Sequence, residues 1–79
     1  MTVTVLLFAS YAEAMGTSSV TLDLPTGSRV GDAVEAIRGR SSGPLPPKPL
    51  VAVNEVYATI ADLLSAGDEV AIIPPVAGG

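Results

Sequence analysis

The feature that most restricts the fold of this 79-residue chain is one segment with the apolar spacing of an amphipathic helix. It lies among segments in which apolar and polar residues alternate. Between residues 30 and 40 the apolar side chains recur at i, i+3, i+4 and i+7, at Val30, Ala33, Val34 and Ile37. Asp32 near the start of this segment and Arg38 and Arg40 near its end suit the helix dipole. A helix with one apolar stripe is expected to pack on one face of a sheet.

The other apolar residues follow the two-residue period of strands. We predict strands over residues 2–8, 19–24, 50–53, 56–58 and 69–73. A short helix over residues 9–15, stopped by Gly16, connects the first two strands. Asn54-Glu55 is typical of a tight hairpin turn, because Asn accepts a positive φ. The order predicts an α+β domain in which a curved, mixed sheet of about five strands carries one main helix across one face.

Prolines interrupt the chain in two places. Segment 41–49 has prolines at positions 44, 46, 47 and 49, so it is neither helix nor inner strand, and we predict a surface loop. Pro74-Pro75 must end the last strand, because proline donates no backbone hydrogen bond. We therefore expect a single domain over residues 1–79, with a globular part at 1–73 and a flexible, extended C-terminal tail at 74–79.

Composition excludes several classes of function. The chain contains no Cys and no His, which rules out thiol chemistry, Cys/His zinc sites and an imidazole base. Its formal net charge of −4 disfavours nucleic-acid binding. No run approaches 18 apolar residues, so no membrane span is predicted, and we expect a cytoplasmic protein.

The tail carries the candidate reactive group, the C-terminal carboxylate of Gly79. At ~3.3 Å per extended residue, segment 74–79 reaches about 20 Å beyond the sheet, and its glycine tip fits a channel too narrow for a Cβ. A partner that converts this carboxylate to an acyl-adenylate makes it electrophilic, and attack by sulfur then leaves a thiocarboxylate that needs no cysteine. The alternative is an inert, frayed terminus.

Four segments resemble the small subunit of molybdopterin synthase, a family of ubiquitin-like β-grasp sulfur carriers. In chain order they are VTVLLFA, LPTGSRVGDAVEAI, VAVNEVYA and GDEVAIIPPVAGG. The likeness covers nearly the whole chain, and its Pro-Pro lead into a terminal Gly-Gly is the most specific part. It implies the ubiquitin-like β-grasp fold.

The resemblance also implies a function and partners. An E1-like adenylyltransferase would activate Gly79 with ATP, and a sulfurtransferase would supply the sulfur. The synthase large subunit would receive the tail, formed by Pro74, Pro75, Val76, Ala77, Gly78 and Gly79. The thiocarboxylate would then transfer sulfur to cyclic pyranopterin monophosphate to form molybdopterin, within a heterotetramer of two small and two large subunits. Catalytic side chains are expected on the large subunit, and this chain is expected to bind no cofactor or metal.

The family docks through apolar residues beside the tail, and the matching positions are Phe8, Val56 and Ile73. Phe8 and Ile73 fall on the sheet face opposite the predicted core, where apolar residues are unusual and mark partner sites. The alternative is that they form a second small core or are scattered surface residues.

Other functions fit the same tail. The chain could carry sulfur for thiamine synthesis or tRNA thiolation, modify proteins through isopeptide bonds as ubiquitin does, or be an interaction domain with an inert tail. Segment 10–16 lacks the Arg-rich stretch of many relatives, and the role of the Pro-rich loop at 41–49 is open. Both features bear on partner specificity.

Overall fold

A computed structural model describes residues 1–40 and 49–74 of the chain. In chain order the described elements are β1 (Thr2–Leu7), α1 (Ala9–Met15), β2 (Ser19–Asp23), α2 (Val30–Arg40), β3 (Leu50–Val53), β4 (Val56–Ala58) and β5 (Glu69–Ile73). All of these elements were predicted, and the bounds differ only at the ends of β1 and β2, by one residue each. Most of the predicted loop and tail, at 41–48 and 75–79, lies outside the described residues.

The five described strands form one mixed sheet in the order β2-β1-β5-β3-β4. Its central pair, β1 and β5, is parallel, although these strands are the first and last described along the chain. The other pairs are antiparallel. The α+β class and the mixed sheet with a helix across one face are therefore confirmed.

The core lies between the sheet and α2. Alternate residues of the two central strands face the helix and are almost fully buried, at Val3, Val5, Leu7, Val70 and Ile72. The stripe predicted on α2 is buried against them, at Val30, Ala33, Val34 and Ile37. Complete burial of one such aliphatic side chain contributes about 1.5–3 kcal/mol, so this layer supplies most of the stabilisation of the fold. Tyr11 of α1 and Leu64 complete the core and were not predicted.

Two local signals act as the sequence predicts. Gly16 adopts a left-handed conformation with φ of 74°, and its N–H donates to the carbonyls of Ala12 and Glu13, which ends α1. Asn54 and Glu55 have φ of 50° and 71°, the geometry of a two-residue hairpin turn. This turn determines which residues of β3 and β4 face each other.

The start of α2 is held by the segment that connects β4 to β5. The N–H groups of Val30 and Gly31 donate to the carbonyls of Asp62 and Ile60, each over 2.9 Å. A Cβ at Gly31 would lie 3.2 Å from the Ile60 carbonyl oxygen, so a glycine allows this close approach. Helix N–H groups that would lack partners are thereby satisfied.

Within the described residues the two helices span 7 and 11 residues, and neither is long enough to cross a membrane.

Candidate protein-docking site

The sheet face that α2 leaves uncovered, called here the outer face, is apolar at one end and polar at the other. Strand register places one apolar row across four strands, at Leu6, Ala71, Ala52 and Tyr57. Ile73 pairs with Leu50 in the next row. The row toward the opposite end is polar, with Thr21, Thr4 and Glu69. Because β5 leaves the sheet at Ile73 and continues into Pro74, the apolar end is the one from which the predicted tail starts.

Phe8 joins the outer face because it continues β1 by one residue. Its backbone is extended, with φ of −127° and ψ of 151°, so strand alternation directs its ring to the same side as Leu6. The next residue, Ala9, has a positive φ of 48° and turns the chain into α1. The Phe8 carbonyl accepts the N–H of Tyr11 over 3.0 Å. The ring is thus held beside the sheet while 46% of the residue surface stays exposed.

These residues enclose a shallow groove of about 280 Å³, here called the docking groove, lined by Phe8, Ala52, Glu55, Tyr57, Ala71 and Ile73. Ala52 forms its floor and is only 7% exposed. Tyr57 is 73% exposed, so its aromatic surface is open to a partner. Aromatic side chains around a small apolar depression are typical of protein-docking sites.

The structure brings together two of the three predicted interface residues. Phe8 and Ile73 line the docking groove, whereas Val56 does not. Val56 pairs with Val53. The next pair along the two strands, Tyr57 with Ala52, is the one on the outer face. Since successive residues of a strand point to opposite faces, Val56 points to the helix side of the sheet, where it stays exposed.

Val56 thus lies on the other face of β4 from Phe8 and Ile73, and Tyr57 holds the outer position on that strand. The signal that identifies Tyr57 is present in the sequence. A two-residue turn at Asn54-Glu55 pairs the residues immediately beside it, and Tyr57 then faces Ala52.

A hydrogen-bond network holds the β3–β4 turn against the start of β5. The carboxylate of Asp68 accepts the Ser65 N–H over 2.7 Å and the Asn54 side-chain amide over 3.0 Å. The side-chain oxygen of Asn54 accepts the Glu69 N–H over 3.0 Å. The hydrogen bond from Ser65, followed by that from Asn54, lowers the pKa of Asp68 below its ordinary value, against a small opposing effect of burial. This network sets the position of Glu55 at the groove.

The described residues contain no group of three or more Asp or Glu side chains placed to hold a metal ion. Of the predicted tail, Pro74 is described and half-buried, while Pro75, Val76, Ala77, Gly78 and Gly79 lie outside the described residues. What the described part offers is a binding surface of apolar side chains, the Tyr57 hydroxyl and the Glu55 carboxylate.

The sheet order, the single helix across one face and the apolar groove beside the exit of the last strand define a ubiquitin-like β-grasp protein. Comparison with known families specifies the class further. The sequence profile described as "ThiS family" matches residues 5–79, and the chain belongs to that family.

Named relatives agree with this assignment. The chain is 35% identical to small archaeal modifier protein 1 of Haloferax volcanii, over 92% of this chain and 95% of that protein. It is also 35% identical to the molybdopterin synthase sulfur carrier subunit of Arabidopsis thaliana, over 95% of this chain and 80% of that protein.

Solved structures show the same fold. The crystal structure of the Haloferax volcanii modifier protein has a TM-score of 0.83 and 32% identity, covering 95% of this chain and 98% of that chain. A putative molybdopterin converting factor subunit 1 from Pyrococcus furiosus has a TM-score of 0.82 and 29% identity, covering 96% of this chain and 99% of that chain. The ubiquitin-like fold expected from the sequence is thereby confirmed.

Proposed function

We propose that this chain is the sulfur-carrier subunit of a molybdopterin synthase and that the C-terminal carboxylate of Gly79 is its working group. The observation that carries the proposal is the position of the docking groove, which lies where the last strand leads into the tail. A partner seated on this groove is correctly placed to receive the tail. The family match that extends to Gly79 and the relatives named as sulfur carrier subunits support the same function.

The proposed chemistry takes place at the chain end. An E1-like adenylyltransferase joins the Gly79 carboxylate to AMP from ATP and releases pyrophosphate. A persulfide on a sulfurtransferase then attacks the acyl carbon and displaces AMP, and a thiol cleaves the resulting acyl disulfide to a thiocarboxylate while itself being oxidised to a disulfide. The thiocarboxylate sulfur attacks cyclic pyranopterin monophosphate, and water hydrolyses the resulting acyl–sulfur bond, which leaves the sulfur on the pterin and regenerates the carboxylate. The catalytic side chains in this scheme belong to the partner proteins, and ATP is consumed by the activating enzyme.

The domain contributes position rather than catalysis. A partner that covers Phe8, Tyr57 and Ile73 holds the start of the tail, and an extended segment 74–79 then reaches about 20 Å into that partner. Fixing the domain at one end of a short tether raises the effective concentration of the reactive end in the partner's active site. The docking groove and the tail therefore act as one unit.

One specific observation favours a second function. The Haloferax volcanii relative is named a modifier protein, so we also consider attachment of Gly79 to lysines of target proteins. The two functions make different products from the same activated carboxylate. A modifier yields stable high-mass conjugates that disappear when Gly79 is deleted, whereas a sulfur carrier yields a thiocarboxylate on the free protein.

Intact mass spectrometry of the protein from its native cells tests the proposal. We expect a fraction whose mass gain matches replacement of one carboxyl oxygen by sulfur. Deletion of Gly79 is expected to abolish molybdopterin formation by the reconstituted synthase while leaving Tm unchanged, because a terminal residue makes few packing contacts. Molybdopterin formation by the truncated protein at the full rate would contradict the proposal.

A further inference from the structure

Glu55 is the charged residue of the otherwise uncharged docking groove. The other lining residues are Phe8, Ala52, Tyr57, Ala71 and Ile73. Glu55 is exposed, and its carboxylate makes no hydrogen bond or ion pair with any described residue. An unpaired carboxylate at the edge of an apolar binding surface is available to a partner.

The backbone at Glu55 is unfavourable for this residue type. Its φ of 71° lies in the left-handed region, and it occupies the second central position of a two-residue hairpin turn. That position usually holds glycine, because a Cβ there crowds the backbone. The chain thus places a carboxylate at the groove in a conformation that costs stability, which points to a function outside the fold itself.

The basic side chains of the described residues lie on the helix side of the domain, beside Asp32 and Glu35, and strand register places none of them on the outer face. Among the described residues the basic side chains are Arg29, Arg38 and Arg40, which lie in α2 or directly before it. The charged residues that strand register and groove lining place on the outer face are all acidic, at Asp23, Glu55 and Glu69. A partner that covers the groove therefore meets negative charge, which a cationic side chain complements.

We infer that Glu55 is a specificity-determining residue, which selects a partner whose apolar docking surface carries an arginine or lysine opposite this carboxylate. The inference rests on the proposed function, because that partner is the protein that receives the tail. Apolar contact with Phe8, Tyr57 and Ile73 supplies most of the affinity. The charge pair at the edge governs the association rate and rejects apolar surfaces that lack the cation.

Binding of the molybdopterin synthase large subunit from the same organism to the full-length chain tests the inference. Glu55→Gln keeps the size of the side chain and removes its charge. We expect about three- to fivefold weaker binding in 50 mM NaCl, with the difference lost in 500 mM NaCl because salt screens an exposed pair. Glu69→Gln is the matched control: it removes one charge from the polar end of the same face and is expected to retain the wild-type affinity.

The variant Glu55→Gly tests whether Glu55 contributes to partner binding or to the stability of the fold. Relief of the left-handed conformation is expected to raise Tm by about 2–4 °C, while binding weakens as in Glu55→Gln. A structural role for Glu55 would instead lower Tm and affinity together.

The outcomes distinguish this inference from the proposed function. If the wild-type chain binds the large subunit and both Glu55 variants bind equally well in 50 mM NaCl, the inference is wrong and the proposed function stands. An equal loss of affinity in Glu69→Gln would likewise overturn it, since a general charge effect would then explain the result. If the wild-type chain does not bind the large subunit at all, the proposed function fails and the inference fails with it.

Discussion

The two faces of the sheet use the same residue types for different purposes. On the face toward α2, apolar residues occupy both ends of the central strands, and Val3, Val5 and Ile72 are completely buried. On the outer face, apolar residues occupy only the end beside Pro74, and Phe8 and Tyr57 stay exposed. The covered face stabilises the fold, whereas the outer face leaves apolar surface exposed beside Pro74.

This difference shows that position, rather than hydrophobicity, separates core from docking site in so small a domain. Mean hydropathy is +0.52 for the whole chain, which is high for a domain whose surface contacts water. Three of the five large apolar residues that are exposed among the described residues, Phe8, Leu50 and Tyr57, lie on the outer face in or beside the docking groove. A contiguous apolar patch of this kind is typical of a surface that another protein covers.

The largest effect on stability is expected from a comparison of Ile72 and Ile73, adjacent residues of β5 that face opposite sides of the sheet. Ile72→Ala removes a fully buried side chain and is expected to lower the free energy of unfolding by about 2–4 kcal/mol. Ile73→Ala, on the outer face, is expected to cost less than about 1 kcal/mol and to weaken binding of the large subunit instead. Urea unfolding and calorimetry measure the two quantities. Equal losses of stability in both variants would remove the distinction between the faces.

A smaller effect, on the affinity for the large subunit, should distinguish Tyr57 from its neighbour Val56 on β4. Tyr57→Ala is expected to weaken binding of the large subunit about tenfold, because truncation of an interface aromatic commonly costs that much. Val56→Ala, which changes the opposite face of the same strand, is its control and is expected to leave the affinity within about twofold. Stability should change little in either variant, since both residues are more than half exposed. The reverse pattern of affinities would restore Val56 as the interface residue.

The smallest effect concerns the pH dependence of Tm, which depends on the hydrogen bonds that Asp68 accepts from Ser65 and Asn54. The pKa of Asp68 in the folded protein is lowered from its ordinary value of 3.8, so its carboxylate stabilises the fold above that value. This contribution is lost as pH falls through the lower folded-state pKa. Asp68→Asn should therefore show a smaller drop of Tm than the wild type between about pH 5 and about pH 2.5. Glu13→Gln, which removes an exposed carboxylate of α1, controls for net charge. Parallel Tm curves for wild type and Asp68→Asn would contradict the assignment.

Much of the fold could be predicted because its signals are local. Alternation along β5, the helical period of α2 and the left-handed glycine after α1 each depend on a few neighbouring residues. The candidate site was predicted in part for the same reason, since Phe8 and Ile73 each break the polar pattern of an exposed strand face. Tyr57 was missed because its face depends on the pairing of β4 with β3 rather than on its own segment.

The sequence by itself determined to within one residue where the strands and helices begin and end, because side-chain alternation, prolines and turn residues act within a single segment. Only the tertiary structure decided that β1 and β5 pair in parallel at the centre of the sheet, that Tyr11 enters the core and that the groove forms beside Pro74. Each of these features joins residues that are distant along the chain. These contacts depend on how all strands and helices pack around one core, and no local sequence pattern specifies that packing.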